Sequence, residues 1–93
     1  LDDCDAALRL SPKSAPILDS RGLVRLRQGK FGKAISDYDA SLKVRAMNAW
    51  SLYGRGIAKL HDGKTLPGQT DLAAAKAIQA DIGDQFAKMG LSP

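Results

Sequence analysis

One period governs this chain: similar residues recur 34 positions apart. The stretch "RGLVRLRQGK" (Arg21 to Lys30) returns as "RGIAKLHDGK" (Arg55 to Lys64). The same step links Asp3, Asp37 and Asp71, then Leu10, Val44 and Ile78, then Gly22, Gly56 and Gly90. "DCDAAL", "DYDASL" and "DLAAAK" are three copies of one phrase. A fixed period of this length marks units that cannot bury their apolar faces alone and must stack on neighbours. The chain reads as a trailing half-repeat, two whole repeats and the start of another.

Each whole unit reads as two helices. Leu18, Gly22 and Leu26 fall at helical spacing, and no Pro interrupts the run from Ile17 to Gln28. Gly29 suits the left-handed residue that closes a helix. The second helix is expected from about Phe31 to Val44, with Phe31, Ala34, Ile35, Tyr38, Ser41 and Leu42 along one stripe. The next unit repeats this, from about Ala49 to His61, a turn at "DGK", and about Pro67 to Gln79. Gly22 and Gly56, with Ala34 and Ala40, permit helices joined by a short turn to approach closely.

Composition narrows the classes of function. Apolar content of 44% with 26% charged residues fits one small globular domain rather than a disordered chain. No apolar run approaches the ~20 residues of a membrane helix, so membrane insertion is not expected. A single cysteine, Cys4, and a single histidine, His61, exclude a disulfide framework and a His/Cys metal cluster, and no cofactor is implied. The net charge of +4 is mild and spread along the chain, so a nucleic-acid patch is not indicated. The opening "LDDCDAALRL" lacks Met and reads as an internal position in a longer chain.

Leu18, Gly22, Gly29, Phe31, Ala34, Tyr38 and Leu42, then Leu52, Gly56, Gly63, Leu72 and Ala75, together resemble the tetratricopeptide repeat (TPR) family. Pro12 in "ALRLSP" stands where that family often has proline, and "DIGDQFAKMGLSP" resembles the helix that closes bacterial members. The resemblance covers essentially the whole chain. It implies an all-α fold, a right-handed superhelix of antiparallel helix pairs. It divides residues 1–93 into a trailing helix (1–14), repeats 15–48 and 49–82, and a terminal capping helix with tail (83–93). Departures are Gly68 for the usual Ala, Thr65 for an aromatic, Ala46 and Ala80 for proline, and Arg25 and Lys59 for an aromatic. "TLPGQTD" therefore points to a late start for its helix.

The resemblance also implies a function. First helices of successive repeats line a concave groove that binds a peptide or protein segment. Here that groove would use Asp19, Leu23, Leu26, Arg27, Trp50, Tyr53, Ile57, Leu60 and His61. By spacing alone Trp50, Tyr53, Ile57 and Leu60 form a helical stripe, and exposed aromatics at such a stripe are what a binding hot spot needs. The competing reading packs them against a neighbouring or terminal helix as ordinary core. Members that clamp a C-terminal carboxylate use Lys and Asn where this chain has Asp19, Leu23, Tyr53 and Ile57, which gives that mode no support. Arg21 and Arg55 each precede an Asp by 16 residues, Asp37 and Asp71, and read as an ion pair inside each repeat rather than an anion site. Cys4 reads as a core thiol in another repeat from His61, so enzyme activity has no support. A non-catalytic interaction module is the leading reading. A helical RNA-binding or regulatory array, or a segment that positions a catalytic domain, is the alternative. Cys4, Ala7 and Leu8 on the first half-repeat are expected to promote self-association.

Overall fold

The computed structural model describes residues 14–93. The expectations for Cys4, Pro12 and the Leu1–Leu10 face lie outside those residues. Five helices follow in order: α1 (Ala15–Arg27), α2 (Phe31–Val44), α3 (Ala49–His61), α4 (Thr65–Ile78) and α5 (Ile82–Lys88). The described residues are all-helical, without a strand. Short connections force neighbours to fold back on each other. Ser41 meets Ser51 while Tyr38 meets Gly54, and Leu60 meets Gly68 while Gly56 meets Leu72, so α2/α3 and α3/α4 run antiparallel.

Helix ends follow local chemistry. Asn48 caps α3, its Oδ1 accepting from the backbone N–H groups of Trp50 (3.1 Å) and Ser51 (3.4 Å). Gly29 and Gly63 close α1 and α3 at φ +74° and +81°, and the amides of Lys30 and Lys64 reach back to the carbonyls of Arg25 and Lys59. One boundary corrects the sequence reading. α4 starts at Thr65, not late, because Pro67 falls where a helix's first amides have no intrahelical partner anyway.

The two hairpins share an electrostatic joint and differ in packing. In the first, Arg21 (2.7 Å) and Arg25 (3.0 Å) both bind buried Asp37. In the second, Arg55 (2.8 Å) and Lys59 (2.9 Å) both bind Asp71. Arg25 and Lys59 thus supply the second cation of each joint. Arg55 also reaches Asp39 at 2.9 Å and so ties α3 to both helices beside it. The Tyr38 ring fills the slot between α1 and α3, where a Cβ on Gly22 would lie 3.0 Å and one on Gly54 2.4 Å from its Cζ. In the second hairpin backbone meets backbone: a Cβ on Gly56 would come within 2.9 Å of the Gly68 carbonyl oxygen.

Helix α3 lies at the centre, with eight buried residues. The core joins Leu26, Ala34, Tyr38, Leu42, Leu52, Tyr53, Ile57, Ala58, Ala75, Ile82 and Phe86. α5 is shorter than α3. It is a period below α3 in register, yet ends at Lys88, and Gly90 adopts φ +76°. Its counterpart Gly56 sits in mid-helix. A left-handed Gly90 turns the chain, so Leu91 and Ser92 fold back instead of extending the helix.

Candidate functional site

The stripe expected along α3 is divided by α5. Phe86 is fully buried, with its ring centroid 4.5 Å from that of Trp50 and 5.0 Å from that of Tyr53. Tyr53 is 4% exposed and Ile57 1%. Burial, with the Asp84 charge beside it, raises the pKa of the Tyr53 phenol above its ordinary value. The expectation of an exposed aromatic stripe is corrected here: Trp50 is half-buried and Tyr53 is core, because α5 lays Phe86 on both. The competing reading, contact with a terminal helix, describes this end of α3.

Asp19 is also drawn inward. Its carboxylate accepts from Asn48 Nδ2 at 3.0 Å and from the Ser51 hydroxyl, which in turn lies 3.1 Å from Ser41 Oγ. The network links the cap of α3 to α1, and a carboxylate so engaged is not displayed to a partner. Leu60 turns toward α4, its Cγ 2.9 Å from where a Cβ on Gly68 would stand. Leu23 is half-buried against the core. Thus Asp19, Leu23, Trp50, Tyr53 and Leu60 do not line the pocket that opens at the C-terminal ends of α1 and α3.

The remaining four do. Leu26, Arg27, Ile57 and His61 converge on a pocket of about 260 Å³ whose other walls are Gly29, Phe31, Gly90, Leu91 and Ser92. Leu26 and Ile57, both nearly fully buried, make an apolar floor. The His61 ring stacks on Phe31, centroids 5.1 Å apart and planes 13° from parallel. His61 Nε2 lies 3.0 Å from the Ser92 carbonyl oxygen, which can only accept, so Nε2 carries the proton in that contact. Arg27 stands exposed at the rim. The pocket exists because α5 stops short: a helix as long as α3 would cover this end too.

The nine-residue expectation omitted Phe31 and the tail residues from this pocket. Leu91 carried a signal, being one period after Ile57 and two after Leu23. Ser92 carried none, since its contribution is a backbone carbonyl. Among the described residues no His/Cys/Asp/Glu cluster could hold a metal, and no helix is long and apolar enough to cross a membrane.

No protein-family model, curated protein or solved structure matches this chain.

Proposed function

We propose that this chain is a non-catalytic protein–protein interaction module, a segment of a TPR-like right-handed superhelix. It binds a peptide or protein segment on the face shared by the first helices α1 and α3, at the Leu26–Arg27–Ile57–His61 pocket. The observation that supports this is the pocket's make-up. Its floor and most of its walls are apolar, its rim is polar, and two residues from each first helix meet there, Arg27 and His61 standing at equivalent positions of the 34-residue period. Concave apolar pockets with a few convergent polar groups are the usual form of recognition sites. The volume lies below the ~300–1,000 Å³ range of small-molecule sites. It suits one anchoring side chain of a larger partner.

The test replaces Arg27 or His61 with a photo-crosslinking amino acid in the full chain within the source cells, with the exposed Lys76 as control position. The reading expects protein adducts from positions 27 and 61 that position 76 does not give. Equal adducts at all three positions, or RNA adducts alone, would contradict it.

A further inference from the structure

We infer that the partner segment carries a carboxylate next to its apolar anchor, the acid meeting Arg27 while the anchor enters between Leu26, Phe31, Ile57 and Leu91. This rests on the reading of the pocket as a protein-binding site and names the chemistry that site selects.

Charge complementarity selects the acid. Arg21, Arg25 and Arg55 are each engaged by a carboxylate within the fold. Arg27 makes no ion pair or side-chain hydrogen bond with the described residues and stands exposed at the pocket rim. No Asp is among the pocket residues. Asp62, the acid next to His61 in sequence, is taken up by Lys64 at 3.3 Å. The site thus offers a guanidinium with five donors beside an apolar floor, and no acid among the described residues competes for it. A cation on the partner would meet Arg27 as a like charge. A purely apolar segment would leave the guanidinium partly desolvated without a partner, which costs affinity. His61 does not compete for the acid, because its Nε2 already donates to the Ser92 carbonyl and its ring is held on Phe31. It serves as a wall.

Specificity should therefore reverse with the charge at position 27. The experiment pans random heptapeptides displayed on phage against the intact chain and its Arg27→Glu variant, after circular dichroism shows equal helix content for both. The wild type is expected to enrich peptides with Asp or Glu within two positions of Leu, Ile, Phe or Met. Arg27→Glu is expected to enrich Lys or Arg in place of the acid. A synthetic peptide of the most enriched wild-type sequence should bind Arg27→Gln up to about fivefold more weakly, the range of a solvent-exposed ion pair. Apolar enrichment without an acid, or an acid preference that survives Arg27→Glu, would overturn the inference and leave the interaction reading standing. No enrichment on either protein, or polyuridylate binding tighter than every selected peptide, would overturn both.

Discussion

The expected groove face of α3, with Trp50 and Tyr53 toward one end and Ile57 and His61 toward the other, meets two different fates. At its N-terminal end Phe86 of α5 lies on Trp50 and Tyr53, and Tyr53 becomes core. At its C-terminal end α5 has already stopped, and His61 with Arg27 borders an open pocket. The periodic pattern is the same along the whole helix. What differs is the length of the next element, set by where Gly90 turns the chain. A helix face in a repeat array is a docking surface only where the following repeat leaves it uncovered.

The largest expected effect breaks the covered end. Phe86→Ala removes a fully buried ring and should lower stability by about 3–5 kcal/mol. Trp50 is the single tryptophan, so its fluorescence reports the loss directly by moving to longer wavelength. Emission unchanged from wild type would mean that α5 does not cover Trp50. Tyr53→Ala belongs to the same class: it should act on stability, as the substitution of a core residue does.

The phenols sharpen the comparison further. The only two tyrosines, Tyr38 and Tyr53, both have raised pKa values, in each case chiefly because burial disfavours the phenolate. Asp19 and Asp37 add to the effect at Tyr38, and Asp84 at Tyr53. A pKa raised on folding means the folded state holds its proton more tightly than the unfolded one. Stability is then full below about pH 10, the ordinary phenol value, and falls as pH rises beyond it. Phenolate absorbance should appear together with loss of helix in an alkaline titration. Free ionisation near the ordinary value in an intact fold would contradict the burial of both rings.

A middle-sized effect concerns the face of α3 that holds α4. Arg55 and Asp71 should couple by about 0.5–3 kcal/mol in a double-mutant cycle of Arg55→Ala and Asp71→Ala. Burial alone would raise the Asp71 pKa, but its bonds to Arg55 and Lys59 outweigh that and leave it lowered. The sign follows: the stabilisation is present above the ordinary carboxyl value and is lost as pH falls below about pH 4. Asp71→Asn should flatten that acid-side decline in a series of urea melts. Additive single effects in the cycle would show that the pair does not interact.

Much of this was legible in the sequence because it recurs with the period. The helix pairs, the Arg–Asp joints and the left-handed turn at Gly29 depend on residues that each repeat supplies for itself. Three features were less legible, each for a physical reason. The burial of Tyr53 depends on where Phe86 lands, a contact between different repeats. Asp19 falls on the groove face that the resemblance implies, and nothing local marks its bonds to Asn48 and Ser51, about 30 residues away. Gly90 shares its register with mid-helix Gly56, and only the end of α5 shows that it turns the chain instead.

The smallest effects belong to the open end. Arg27→Ala and His61→Ala touch exposed side chains, and each should change stability by no more than about 0.5 kcal/mol. A loss of 2 kcal/mol or more from either would place that residue in the core and close the pocket as a candidate site.

Hydroxyl-radical footprinting read by mass spectrometry compares the two ends of α3 in one experiment on the intact chain. The account predicts that Tyr53 and Phe86 resist oxidation while His61 is modified readily. Oxidation of Tyr53 and Phe86 as fast as His61 would show α3 uncovered along its whole length and would contradict the division of this face.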